Sequence, residues 1–231
     1  MASSILTTHV GSLPRSKELS ELLFKKDKGE SFDKNLFDDV VKKNVEQVVN
    51  RQLDVGIDVV SDGEMSKISY ATYVKDRIKG FSGESERRAP ADLDDFPEFK
   101  DKIAKSGGTP TYTRPCCTSN LEIQDEDSLK KDISNFSNAL SSASHKKGFM
   151  NAASPGVISV FMPNKFYQDD DEYMEKLSLL MTNEYKAITH ANIQLQLDCP
   201  DLALARHMSY KSLSDEDFLK RAEKQIEYLN N

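Results

Sequence analysis

Three stretches of this chain combine residue types able to hold a small polar molecule: Thr7-Thr8-His9-Val10-Gly11-Ser12-Leu13-Pro14-Arg15, Ser61-Asp62-Gly63-Glu64 and Leu197-Asp198-Cys199-Pro200-Asp201. Val10-Gly11-Ser12 follows a short β-like run, and a Gly-Ser turn at a strand exit presents backbone N–H groups that can bind a carboxylate. Glu64 and Asp198 supply the complementary charge, because two carboxylates in a partly desolvated cleft attract an ammonium strongly. A carboxylate site beside an ammonium site describes a pocket for an α-amino acid, with Val10, Gly11, Ser12, Glu64 and Asp198 as its candidate residues. Taken singly, each acid also suits a solvated strand end or a helix cap, so the inference rests on the set.

In Ile193-Gln194-Leu195-Gln196-Leu197-Asp198 apolar and polar residues alternate, which places Gln194, Gln196 and Asp198 on one face of a strand. The run 57–64 is expected to put Asp62 and Glu64 on one side of its exit, with Gly63 permitting the close turn between them. Other chemistries find less support. His9, His145, His190 and His207 have no i, i+4 spacing and no Cys-x-x-Cys occurs, so no complete zinc site is expected inside the chain. His9 and His207 are retained only as residues that could line a shared mouth. There is no Gly-x-Ser-x-Gly elbow and no Gly-x-Gly-x-x-Gly fingerprint, which disfavours a serine hydrolase and a nucleotide cofactor.

These residues need a scaffold, and the hydropathy pattern supplies one. A helix is expected over 35–53, where Leu36, Val40, Val41, Val45, Val48, Val49 and Leu53 recur at helical spacing before Gly56. A polar, Pro- and Gly-bearing excursion is expected at about 80–108, followed by a third strand over 109–117 and a helix carrying Leu129, Ile133, Phe136 and Leu140. A strand from Phe149, a helix through Tyr173 and Ile188, the 193–198 strand and a closing helix started by Ser214 complete the series, with Asn231 inside or just after that helix. Alternating strands and helices predict an α/β fold with a parallel sheet, open or closed as a (β/α)8 barrel, of which about five units are present.

Composition narrows the partners. With 231 residues, 38 acidic against 31 basic, and a net charge of −7, the chain lacks the clustered positive charge that nucleic acid requires. No apolar stretch is long enough to span a bilayer, and residues 1–8 lack a signal-like pattern, so no membrane partner and a cytoplasmic location are expected. Cys116, Cys117 and Cys199 are an odd count without framework spacing, which fits a reducing compartment.

Thr7-Thr8-His9-Val10-Gly11-Ser12-Leu13-Pro14-Arg15, Gly56-Ile57-Asp58-Val59-Val60-Ser61-Asp62-Gly63-Glu64, Ala153-Ser154-Pro155-Gly156 and Leu195-Gln196-Leu197-Asp198-Cys199-Pro200-Asp201-Leu202-Ala203 together resemble the catalytic half of cobalamin-independent methionine synthases, especially their short single-domain relatives. The resemblance implies a (β/α)8 TIM barrel in which zinc converts the thiol of homocysteine to a thiolate that attacks the N5 methyl group of a methylated folate. It assigns Val10, Gly11 and Ser12 to the amino acid's carboxylate end, and Glu64 and Asp198 to its ammonium. It also implies zinc as cofactor, and homocysteine with a methylated folate or a methyl-corrinoid as small-molecule partners.

In that family the zinc ligands, a His-x-Cys pair, an acidic residue and a last cysteine, come from strands after the fifth. By that resemblance the ligands are expected beyond Asn231, and none within the chain. Residues 1–231 are therefore expected to form the N-terminal portion of such a barrel, an S-methyltransferase incomplete by itself. Cys199 stands where the larger synthases carry a glutamate after the matching aspartate, which leaves the methyl donor open. Two other functions stay in view: a zinc-dependent alkyl transferase to another thiol, of the epoxide and coenzyme M type, and an inactive amino-acid-binding fragment. The first has no use for two ammonium-binding acids.

Overall fold

The computed structural model describes residues 5–86, 91–105, 112–144 and 147–230, with the backbone alone at 103–105. Helix α1 (Lys17–Asp27) starts where the Ser16 hydroxyl accepts the Leu19 N–H, and α2 (Lys34–Asp54) starts at Asp33, whose carboxylate accepts from Asn35 and Leu36. The face of α2 predicted from the valine spacing is the buried one at Val40, Val41, Val45, Val48 and Val49, with Leu53 half-buried; Leu36, expected on that face, is exposed, and Phe37 packs inward in its place. Gln52 then ties the helix to the next strand, its amide donating to Ser61 O (2.8 Å) and accepting from Ser61 N (3.0 Å).

Strand β1 (Val60–Ser61), β4 (Gly148–Ala153) and β5 (Gln194–Asp198) form a parallel sheet in the order β1-β4-β5, and a parallel bridge from Thr8 to Val59 adds the first chain segment at its margin. β4 is buried along its whole length, as expected of a parallel strand covered on both faces. Among the described residues β5 has β4 as its single neighbour. Helices α5 (Asp127–Ser142), α6 (Pro155–Phe161), α7 (Asp170–His190) and α9 (Asp215–Asn230) follow the strands, with the short α3 (Val74–Arg77) and α8 (Ala205–Met208) between elements. The Ser214 hydroxyl caps α9 by accepting the Asp217 N–H at 3.1 Å. The closing helix is thus where the sequence places it; Asn231, expected at or just past its end, lies outside the described residues. No helix among the described residues is long and apolar enough to cross a membrane.

The expected third strand is placed differently. Residues 109–111 lie outside the described residues, and 112–115 are not strand; β3 (Cys116–Ile123) begins only after Pro115 and pairs antiparallel with β2 (Ile78–Ser82) rather than joining the parallel sheet. Pro115 has no N–H to give a ladder, and the run that pairs with β3 lies at the edge of the stretch expected to be polar excursion. Of that stretch, 87–90 and 106–108 lie outside the described residues, whereas a 3-10 turn (Ala91–Asp95) and α4 (Pro97–Lys105) fall within it.

Two apolar clusters form the interior. One gathers α1, α2, β1 and α5 around Val49 and Phe136; the other gathers the β2–β3 ribbon, α6 and α7 around Ile158 and Tyr173. Arg77 links the helices of both, pairing with Asp132 on α5 and, at 2.8 Å, with Glu184 on α7, all three side chains buried. The Tyr73 hydroxyl donates to Glu184 at 2.7 Å. Burial pushes the Glu184 carboxyl up, but Arg77, Lys67 and the Tyr73 hydroxyl outweigh it and hold the group below the usual range, whereas at Asp132 burial wins and the group is raised.

Arg77→Met leaves both acids without their cation, and breaking a buried pair costs about 3–5 kcal/mol. Wild-type Glu184 contributes stability above roughly pH 4.3 that is lost as pH falls through its lowered folded value. In Arg77→Met both carboxyls prefer protonation, so the deficit in urea unfolding is expected to be large at pH 7 and to shrink toward pH 4.

Candidate active site

Val10, Gly11, Ser12, Glu64 and Asp198 line one cleft of about 390 Å³ at the C-terminal ends of the parallel strands, together with Tyr70, Leu197, Cys199 and Pro200. Parallel α/β folds place their ligands at this end. The exit from β1 builds one wall. Gly63 and Glu64 are successive left-handed residues, φ +63° and +56°, and the Asp62 carboxylate accepts the Glu64 N–H at 3.0 Å. Leu13 N donates to Gly63 O at 3.1 Å, which lays the Gly11-Ser12 loop against the turn. The Ser12 hydroxyl then donates to Glu64 Oε2 at 2.6 Å, and Arg15 donates to the carbonyls of Glu64 and Lys67, each at 2.8 Å.

Glu64 is 1% exposed, yet its second oxygen, Oε1, has no hydrogen-bond partner. Such a group costs free energy unless a donor reaches it. Asp198 ends β5, across β4 from β1, its carboxylate accepting from Asn151 Nδ2 at 3.0 and 3.1 Å. Burial pushes the Tyr70 phenol up to about 12, so it remains a hydroxyl donor at neutral pH, and its ring lies edge-on to Phe161. Burial, with Asp201 adding to it, raises the Cys199 thiol and disfavours the thiolate.

The structure departs from the expected site at Asp62, His9 and His207. Asp62 does not share the cleft with Glu64; it is 4% exposed and lies within electrostatic reach of Lys67 and Arg77, with burial raising its carboxyl. The αL conformation at Gly63 and Glu64 reverses the chain, so the alternation of an extended strand does not continue through the turn. His9 and His207 are both exposed and absent from the cleft lining, while His145 lies outside the described residues. Among the described residues no three His, Cys, Asp or Glu side chains are grouped to hold a metal ion, so they do not fit zinc.

Lys67, Asn151 and Tyr70 were not singled out by sequence. Asn151 carried a usable signal, being the one strongly polar residue inside the apolar run Phe149-Met150-Asn151-Ala152-Ala153. Lys67 carried none, since a lysine after a strand ordinarily faces water.

The family model described as "Cobalamin-independent synthase, Catalytic domain" matches residues 5–227. The chain belongs to that family. It is 24% identical over 197 residues to a methionine synthase of Saccharolobus solfataricus, covering 85% of this chain and 53% of that protein. A 75-residue stretch is 32% identical to a 5-methyltetrahydropteroyltriglutamate–homocysteine methyltransferase of Bifidobacterium longum, covering 32% of this chain and 10% of that one. The chain therefore spans about half or less of the length of these relatives. A B12-independent methionine synthase from Shewanella sp. W3-18-1, solved in complex with selenomethionine, superposes with a TM-score of 0.65 at 13% identity over 96% of this chain and 57% of its own. A putative vitamin-B12-independent methionine synthase from Listeria monocytogenes gives 0.62 at 13% identity, over 98% and 62%. These likenesses establish the α/β, TIM-barrel type of fold.

The turn that presents Glu64 is sterically constrained. A Cβ on Gly63 would stand 2.9 Å from Met65 Cε and 3.1 Å from Leu13 Cβ in a left-handed conformation. Gly63→Ala is therefore expected to cost roughly 1–2 kcal/mol, seen as a lower urea midpoint by circular dichroism. An unchanged midpoint would mean that the turn is not constrained.

Proposed function

We propose that the cleft binds homocysteine by its amino-acid end, as part of a homocysteine S-methyltransferase that forms methionine. The backbone of Val10-Gly11-Ser12 takes the carboxylate, and Glu64 and Asp198 take the ammonium. The observation that carries this assignment is Glu64 Oε1, a buried carboxylate oxygen without a donor on a residue that lines the cleft. An ammonium has three donors to offer and a charge that repays the desolvation. Asp198, in the same lining, supplies the second acceptor.

The chain's own residues account for binding and orientation. Ser12 and Arg15 hold Glu64 in place, and the protonated Tyr70 presents a neutral donor rather than a competing negative charge. Zinc, which the family resemblance implies for thiol activation, has no donor set among the described residues, so no step through it is assigned to them. The zinc ligands are proposed to come from family strands that would follow Asn231. The methyl donor is proposed to be a methylated folate or a methyl-corrinoid. An alkyl transferase acting on a sulfonate thiol such as coenzyme M is disfavoured, because it would leave both acids without a cation.

Titration calorimetry with L-methionine, the stable product, tests the assignment. Glu64→Gln keeps the shape but removes the charge, and losing a charge-assisted hydrogen bond of about 1.5–3 kcal/mol weakens binding roughly 10- to 100-fold. Absence of binding to the wild-type chain, or equal affinity in Glu64→Gln, would refute it.

A further inference from the structure

We infer that Asn151 is a positioning residue that orients the Asp198 carboxylate toward the ligand's ammonium; this rests on the amino-acid reading of the cleft. Asn151 lies on β4 in register with Gln196 on β5, so Asp198, two residues on, falls on the same face of the sheet. One nitrogen, Asn151 Nδ2, serves both carboxylate oxygens at nearly equal distance, 3.0 and 3.1 Å. Oδ1 also accepts a longer bond of 3.4 Å from Gln196 Nε2, whereas Oδ2 has Asn151 alone among these donors and keeps a lone pair for a ligand. The Asp198 backbone is anchored too, its carbonyl accepting the Ser154 N–H at 3.1 Å.

The choice of an amide has an electrostatic consequence. A lysine is close at hand: Lys67, 2% exposed, donates to the Asn151 backbone carbonyl at 2.5 Å and rests 4.2 Å from the centre of the Tyr73 ring. Had that ammonium reached Asp198 directly, it would have neutralised the carboxylate and competed with the ligand. Lys67 instead steadies the backbone of Asn151, and the neutral amide orients Asp198 while leaving its charge for a cation. Holding the acceptor in place before binding lowers the entropic cost of capturing the ligand.

The test is a double-mutant cycle read by calorimetry with two probes, L-methionine and 4-(methylthio)butanoate, which lacks the ammonium. Asn151→Leu, nearly isosteric, is expected to bind L-methionine about tenfold more weakly, the loss of one charge-assisted hydrogen bond's worth of orientation, and to bind 4-(methylthio)butanoate as the wild type does. Combined with Asp198→Asn it should add no further loss, because both changes act through one carboxylate. Equal weakening for both probes, or losses that add, would reduce Asn151 to a packing role and overturn the inference while leaving the amino-acid site intact. Failure of the wild-type chain to bind L-methionine would instead overturn the underlying function. Should Asn151→Leu not fold, exchange of the Asn151 side-chain amide protons by NMR in Asp198→Ala gives the answer: protection lost with Asp198 supports the clamp, and protection retained refutes it.

Discussion

Strand β4 is closed to water over its whole length, and every polar group placed on it must find a partner inside the protein. That constraint organises the site. Asn151 breaks an otherwise apolar strand, and its two ends are satisfied by groups from different elements: Lys67, from the segment after β1, at the backbone carbonyl, and Asp198, from the end of β5, at the side-chain amide. The central strand thus couples the two walls of the cleft. The same demand explains the hydroxyls beside it, since Tyr185 donates to Ala153 O at 2.6 Å and Ala153 N donates to the Tyr73 hydroxyl at 3.2 Å.

Beneath the cleft lies a group of charges that burial alone would forbid. Asp62, Asp132 and Glu184 are each nearly inaccessible, and they are tolerated because Lys67 and Arg77 share the same interior. The compensation is uneven. Burial prevails at Asp62 and Asp132, whose carboxyls are raised, while at Glu184 the cations and the Tyr73 hydroxyl prevail. Glu64 differs from these three in belonging to the lining of a cleft, with one oxygen committed to Ser12 and the other without a donor. The distinction between an acid that stabilises the interior and an acid available to a ligand is therefore one of orientation, set by two successive left-handed residues.

Much of the scaffold was legible in the chain. The valine spacing on α2 and the alternation in β5 are local patterns, and each became the element it predicted, α2 by burying its valine face and β5 by packing the half-buried Leu195 and Leu197 against the core. The ribbon β2–β3 was not legible, because its two strands are separated by about thirty residues and its pairing depends on which edge a proline leaves without a donor. Likewise Asp62 and Glu64, two residues apart, part company at a turn whose geometry is fixed by contacts to Leu13 and Met65.

The sequence by itself determined the alternating α/β order, the family, and the residues Val10, Gly11, Ser12, Glu64 and Asp198 as a set, because short motifs and hydropathy periods are local properties of the chain. Only the tertiary structure decided that these five share one cleft, that Asp62 turns away from it, and that Lys67 and Asn151 support it from within. Partners such as Lys67 and Asn151, 84 positions apart, leave no periodic trace; their meeting is set by strand order and by the need to pair every polar group the sheet buries.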